Sequence, residues 1–481
     1  MGEAPINLGS SLCSKMNVER SKLEVSERIW NANIAYIGGG SLNWAPKLMS
    51  DLAADGRVSG EVRLFDLNLA AAKRNETIGN RIAQTAPDAL VRYKAVSDIG
   101  EALEGADIVV ISILPGGFDA MACDIDIPAR FGIKQAVGDT VGPGGFIRAL
   151  RSILPLYEVG RSIQKYAPDA YVCNLTNPMS VLTGALFKAF PEIKAWGECH
   201  EAVRTRKVIA RLANEGCGEQ RYAANDVILN VKGINHFTFV DKMAVDGVDL
   251  TDAYHQFARD HKDSGWQLKP IDDDDEFGHY FEDHFKVKFD LFERFGVMAA
   301  AGDRHLAEFM PQSEYLESHA RWGFALTPIE FRKRDGARKA SIATELAQGG
   351  NLPPNTKSDE AWVDQVVALL GGSKYVSNVN LPNEGQLTGL AHGAIVETNA
   401  VFSSLGIQPV VAGTLPAPLN EIVKDHSARQ TALLDAVVEK NGKALFPLFA
   451  SDPLVSPLGE EKAAELSPKW FLLPETRFLL K

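Results

Sequence analysis

Between Asn33 and Leu175 apolar and polar residues alternate in a repeating order: a short apolar run, a turn of small or polar residues, then a longer stretch with helical spacing. Ile34 to Ile37 predicts a buried strand that runs into Gly38-Gly39-Gly40-Ser41, and Ala45 to Ala54 then predicts a helix. Glu61 to Leu67, Ala106 to Ile113 and Ala170 to Leu175 predict further strands, the last two each preceded by a helical stretch. Strand alternating with helix predicts an α/β, Rossmann-like, doubly wound parallel sheet. Ligands of such sheets sit beyond the carboxyl ends of the strands. On that rim fall Leu114-Pro115-Gly116-Gly117, Asn174-Leu175-Thr176-Asn177-Pro178 and Cys199-His200-Glu201. Past about Gly218 the pattern changes to a strand over Asp226 to Val231, the stretch Gly233 to His236, an acidic run at Asp272 to Glu276, and mostly helical spacing to the end. The pattern divides the chain into a polar tail or arm at residues 1–30, a nucleotide-binding sheet domain at 31–220, and an α+β domain at 221–481 for substrate, metal and subunit contacts.

Composition narrows the class. A chain of 481 residues exceeds one ordinary domain, so two closely packed domains of one enzyme-sized body are expected. A net charge of -12 argues against nucleic acid or an anionic membrane as partner, although a local arginine can still hold an anionic substrate. The five cysteines, at 13, 123, 173, 199 and 217, are scattered and odd in number, which fits a reducing cytoplasm and no disulfide framework. Met1 to Trp30 lacks the apolar core of a secretory signal, and no apolar run is long enough to span a bilayer.

The chemistry is concentrated in three places. Gly38 and Gly40 allow backbone to approach a pyrophosphate, and Ser41 opens a helix whose N-terminus attracts anions, although the usual third glycine is missing. Asp66 ends the second strand where a carboxylate accepts ribose hydroxyls and repels a 2′-phosphate, so NAD is expected over NADP. Without a cofactor the same residues make a plain strand-to-helix turn and a solvated aspartate. Cys199, His200 and Glu201, with Asn235 and His236, join a thiolate to imidazoles, a set suited to Zn, Fe, Co, Ni or Mn. Two protein ligands leave coordination positions open, as catalysis requires. Taken singly, a cysteine is a small buried hydrophobe and a histidine a satisfied polar group. The acidic run at Asp272 is a solvated loop, since consecutive charges cannot all turn inward.

Taken together, GGGS, Gly138-Asp139-Thr140-Val141-Gly142-Pro143-Gly144-Gly145 with Arg148-Ala149-Leu150-Arg151, Asn-Leu-Thr-Asn-Pro, Cys199-His200 and Gly233-Ile234-Asn235-His236 resemble glycoside hydrolase family 4, in order and spacing from about residue 33 to 386. The resemblance implies a glycosidase that uses NAD and a divalent metal, with Mn the first choice, outside the two-carboxylate scheme of most glycosidases. It implies hydride removal from the sugar C3, deprotonation at C2, elimination of the aglycone, water addition and return of the hydride. Cys199 and His236 are the implied metal ligands. Asn177 is the implied sugar contact near C3, and Asn174 either joins the ligand contacts or braces the turn. Glu201 and Asn235 line the sugar, and His200 is the implied leaving-group acid or its helper. For the C2 base the resemblance points to Asp303, with His305 nearby, although Asp303 could instead pair Arg304 or cap the helix at Leu306 to Phe309.

Cys199-His200-Glu201, Gly302-Asp303-Arg304-His305 and His392 to Asn399 are similar to the branch acting on α-linked galacturonides. Ala202-Val203 departs from the valine usual after the glutamate there, which keeps α-glucuronides, 6-sulfonated glycosides and neutral α-galactosides open. No arginines of the kind that hold a 6-phosphate follow Leu114 to Gly117. Arg304 is the candidate for a 6-carboxylate; Arg332 and Arg334 are outside candidates, expected in solvent as loop residues. A homodimer or homotetramer is the implied assembly, with the glycoside as small-molecule partner. Two rivals remain: a dehydrogenase of hydroxy acids, which would not need the metal pair, and a non-catalytic NAD sensor.

Overall fold

Ile34, Ala35, Tyr36 and Ile37 are all buried, as a strand covered by helices on both faces requires. They belong to β1 (Ile29–Ile37), followed by β2 (Val58–Phe65), β3 (Val91–Val96), β4 (Ile108–Ile111), β5 (Tyr171–Asn174) and β6 (Lys194–Gly197) in a computed structural model that describes residues 28–85, 90–199, 201–268, 275–281, 283–358 and 360–467. Most of the expected tail, His200 and Asp272 to Asp274 lie outside the described residues. The six strands are parallel in the order β3-β2-β1-β4-β5-β6. The order reverses between β1 and β4, which opens a crevice at their carboxyl ends flanked by Gly38 to Ser41 and by Leu114 to Gly117. β2 ends at Phe65, leaving Asp66 just past it on the rim.

The C-terminal third is not mostly helical. Tyr375–Pro382, Ile395–Ser403 and Gly406–Pro409 are antiparallel strands that extend the same sheet beyond β6 to nine strands. Val379, Leu381, Val396, Ala400 and Phe402 are buried there, and Phe402 meets the buried Trp196 of β6 edge-on with ring centroids 5.5 Å apart. Asn378, Asn380, Glu397 and Thr398 are buried too, so polar side chains break up the apolar run that marks an interior strand. A separate antiparallel hairpin, β7 (Val227–Ile234) and β8 (Phe237–Val245), packs Val231 and Val240 into a second core with Tyr254, Phe257 and Phe289. Among the described residues no helix is long and apolar enough to cross a membrane.

The helix Gly142–Tyr166 is fixed to the rim by an ion pair. Arg151 makes a two-pronged contact with Asp124, at 3.0 and 2.6 Å, and its Nε donates to the carbonyl of Pro115 at 3.0 Å. Both side chains are essentially without solvent. Removing one partner strands a buried charge, so Asp124→Ala is expected to lower unfolding stability by about 3–5 kcal/mol, read by denaturant titration.

Candidate active site

The glycine turn is shaped first by its own strands. Gly38 has φ +91°, and a Cβ there would lie 2.0 Å from the carbonyl oxygen of Ser112 on the neighbouring strand end. Asp66 accepts from the Gly40 N–H at 2.9 Å and the Asn68 N–H at 2.8 Å, so its carboxylate stands at the turn itself. Ser41 Oγ accepts the Asn43 and Trp44 N–H groups at 3.3 and 3.1 Å, which makes it the first brace of the helix Trp44–Asp55 and leaves its own proton to donate outward. Asn75 holds the turn from behind, donating to the carbonyls of Gly39 and Ser41 at 2.8 and 2.9 Å. Sequence reasoning missed Asn75. Its signal is a polar residue on the buried face of the helix Leu69–Thr85, in line with Ala72, Ile78 and Ile82. A glycine turn, a helix N-terminus and an acidic strand end together fit a dinucleotide.

Across the rim, Asp139, His236 and His305 bring one carboxylate oxygen and two ring nitrogens within 4.8 Å of one another. His236 is the second residue of the two-residue turn joining β7 to β8, with φ +63°, where glycine or asparagine is usual. Such a backbone costs of order 1–2 kcal/mol and marks a position held for its side chain. The His305 ring stacks on His236 at 3.8 Å. Thr140 donates its single hydroxyl proton to Asp139 Oδ1 at 2.7 Å, so the 2.7 Å contact with His236 Nδ1 must be a donation from the ring N–H. That tautomer puts the His236 lone pair on Nε2, as metal ligation needs. Carboxylate and imidazole together suit a divalent ion of Mn or Zn character.

The two chain segments that meet here are latched by carboxylates. Glu308 Oε1 accepts from Val137 and Gly138 N–H at 2.7 and 2.9 Å, tying the short helix Asp303–Glu308 to the Asp139 loop. Glu201 Oε2 accepts from Gly302 N–H at 2.9 Å, with His305 Nε2 4.0 Å from its other oxygen. Burial, followed by the charge of His236, holds His305 down to about 3, so the ring is neutral. Burial is the largest single effect at Asp139 and raises its pKa, but its neighbours, Arg148 first and with them the Thr140 hydroxyl, bring it below its ordinary value, so it stays ionised.

Several expected residues stand elsewhere. Asp303 does not face the site: its carboxylate accepts from Val287 and Lys288 N–H at 3.2 and 3.1 Å and caps the helix Lys286–Phe295, fully buried. It stands apart from the group of Asp139, His236 and His305, each oxygen accepting one N–H of a helix end. Asn174 braces its turn, donating to Thr176 O and Thr183 Oγ1 and accepting from Thr176 N–H. Cys199 is not in the Asp139–His236–His305 group. Burial, then the nearby Glu397 and Glu201 carboxylates, push its thiol well up, while Asn235 favours the thiolate. Glu397 was not read as a site residue; it takes the amides of Asn378, Asn380 and Asn235 at 2.9, 3.3 and 3.4 Å. Arg304 is buried, donates to the carbonyl of Tyr280 at 2.6 Å and lies over the Phe281 ring. Arg334 is exposed and pairs with Glu276, whereas Arg332, on the helix Ile329–Ala347, is half-buried with its Nε turned inward. Asn177 Oδ1, Asn235 Oδ1, His305 Nδ1, Glu308 Oε2, Arg304 Nε and Arg332 Nε are all buried with no partner in the structure. Such groups are rare, and their gathering at one rim marks a ligand site.

The comparison with known proteins agrees with this geometry. A profile of the family 4 glycosyl hydrolases matches residues 33–215, and one of the family 4 glycosyl hydrolase C-terminal domain matches residues 231–455. The chain belongs to glycoside hydrolase family 4 and is a glycosidase. Within the family it is 43% identical to an α-galacturonidase of Thermoanaerobacter italicus, over 92% of this chain and 97% of that one. A crystal structure of a Bacillus subtilis protein, 43% identical, superposes with a TM-score of 0.87 over 92% of this chain and 100% of that one. A 6-phospho-α-glucosidase from gut microorganisms, solved with NAD and Mn2+, shares the fold at 18% identity and a TM-score of 0.74, over 92% and 97% of the two chains.

Thr140 carries a testable role. Thr140→Val removes the acceptor for the His236 N–H and is expected to weaken Mn2+ binding about 10–100-fold by calorimetry, with Thr140→Ser restoring it.

The buried acids set a pH dependence. Burial raises Glu198 from 4.5 to about 8, and Glu308 and Glu397 from 4.5 to about 7. Each holds a proton in the folded chain that the unfolded chain has released, so its stabilisation is present below about 4.5 and lost as pH rises through 7 to 8. His305 and His426, both lowered from 6.5 to about 3, act in the opposite sense, but only below about 6.5. Without added metal, the melting temperature is therefore expected to fall from about pH 6.5 to pH 8, and Glu397→Gln to flatten that slope.

Proposed function

We propose that this chain hydrolyses α-linked galacturonides using NAD and a divalent metal, Mn first. The observation that carries the substrate is Arg304, a buried guanidinium with an unpartnered Nε beside Asp139 in a chain of net charge -12. A cation so placed wants an anion from the ligand. Relatives named α-galacturonidase at 43% identity support the same class.

When bound, NAD supplies a hydride acceptor and donor for the sugar C3, and the metal a Lewis acid for the C2 and C3 oxygens. Gly38, Gly40 and Ser41 shape the pyrophosphate turn, and Asp66 takes the ribose hydroxyls. Asp139 and His236 would hold the metal, and Cys199 would serve as a further ligand in its thiolate form, which a nearby cation would favour against Glu397 and Glu201. Asn177 and Asn235 accept sugar hydroxyls through the amide oxygens that have no protein partner. His305, whose Nδ1 has no protein partner, is the candidate acceptor of the C2 proton in place of Asp303. Arg304 takes the C6 carboxylate. A cytoplasmic homodimer or homotetramer completes the reading; the four described cysteines form no disulfide with one another, which fits a reducing compartment.

The test is a panel of 4-nitrophenyl α-galacturonide, α-glucuronide and α-galactoside with NAD+, Mn2+ and a thiol reductant. The galacturonide should be cleaved best, with no net NADH and with loss of activity on chelation or nucleotide removal. Full activity after both treatments would overturn the redox mechanism. Equal cleavage of the galactoside would overturn the substrate, and NADH accumulating with a free hydroxy acid would favour a dehydrogenase.

A further inference from the structure

The buried arginines of this molecule are not all held alike, and Arg206, 6% exposed, also keeps an Nε without a partner. Arg151, 3% exposed, is gripped by Asp124 at two points. Arg304 and Arg332 are the contrast. Among the described residues neither makes an ion pair, and the Nε of each is buried with no hydrogen-bond partner. Both guanidinium carbons lie over the ring of Phe281, at 4.8 and 5.5 Å from its centroid. One ring thus gathers two cations. Burial, and then the charge of Arg304, hold Arg332 down to about 10, a sign of how close the two stand. Arg148 adds a third guanidinium, donating to the carbonyl of Asn177 at 3.0 Å. Four carboxylates lie within electrostatic reach of Arg304, and none forms an ion pair with either arginine: Glu308 Oε1 takes two backbone N–H groups, Asp283 those of Phe285 and Asp303, Asp139 the Thr140 hydroxyl and Glu201 the Gly302 N–H.

Two like charges side by side, Arg304 buried and Arg332 half-buried with its Nε enclosed, repel each other and forfeit solvation, so the arrangement costs stability that an anion from outside offsets. A planar carboxylate offers two oxygens, one for each guanidinium fork. We propose that Arg332 is a specificity-determining residue that closes a two-guanidinium clamp with Arg304, over the face of Phe281, on the single C6 carboxylate of the sugar being cleaved. This rests on the α-galacturonide reading above. The repulsion between the arginines favours one shared anion over two separate ones, so the clamp reads the sugar that is cleaved and not a charged leaving sugar.

The experiment compares wild type, Arg332→Leu and Arg332→Lys on 4-nitrophenyl α-galacturonide, 4-nitrophenyl α-galactoside and digalacturonate, with NAD+ and Mn2+ present. For Arg332→Leu the galacturonide-to-galactoside ratio of kcat/KM should fall by about 30-fold or more, the loss expected when one partner leaves a desolvated charge pair. Arg332→Lys should recover part of it, since the charge returns without the fork. The rise in melting temperature given to wild type by free D-galacturonate should disappear in Arg332→Leu, and without ligand that variant should melt no lower than wild type. An unchanged ratio, or a marked fall in the ligand-free melting temperature, overturns the clamp while leaving the galacturonide reading intact. A loss confined to digalacturonate also overturns it and assigns Arg332 to the leaving sugar. A wild type inactive on both galacturonides overturns the substrate reading and the clamp together.

Discussion

The Glu308 carboxylate, accepting the backbone N–H groups of Val137 and Gly138, is the contact on which the rim depends. On one side of it is the helix that carries Arg304 and His305, and on the other the loop that carries Asp139 and Thr140. Both segments also place apolar side chains in one core, Ala136 and Val137 from the loop and Leu306 and Ala307 from the helix. A single buried oxygen with two backbone donors fixes their register, and Glu201 repeats the device at Gly302. Because the donors are backbone N–H groups, the geometry is set by chain path and not by flexible side-chain pairing, which is what a preorganised site requires.

Much of the parallel sheet was legible because its apolar runs are continuous and its turns are glycine-rich. Legibility failed where function placed polar groups inside. Asn378, Asn380 and Glu397 break the pattern of two central C-terminal strands, which therefore read as helix. Asp303 read as a base because its neighbours sit in a telling motif, yet its carboxylate serves a helix fifteen residues upstream in the chain, at Lys288. Arg332 read as a solvated loop residue because the sequence does not reveal that its helix turns one edge inward beside Phe281. The Cys199 and His236 motifs were visible, but the partners Asp139 and His305 come together only through the Glu308 latch.

Burial does most of the electrostatic work. Glu198, Glu308 and Glu397 are raised by desolvation ahead of any neighbouring charge, while Asp139, almost as enclosed, stays ionised among arginine and histidine. Identical chemistry thus takes opposite protonation states within one rim. The neutral acids serve as hydrogen-bonding supports, and the ionised one is the natural place for a cation.

The way the sheet is completed has a consequence for the birth of the chain. β6 ends at Gly197, and its partner on the open side pairs with it through Asn380, roughly 180 residues later. At a synthesis rate of about 5–20 residues per second, that edge waits on the order of ten to forty seconds for its strand. During this interval the nascent half presents an unpaired interior strand, a template for wrong partners as much as for the right one. These later strands also bring Glu397 and its asparagines to Cys199, so the ribosome delivers the site's floor about 180 to 200 residues after the cysteine itself.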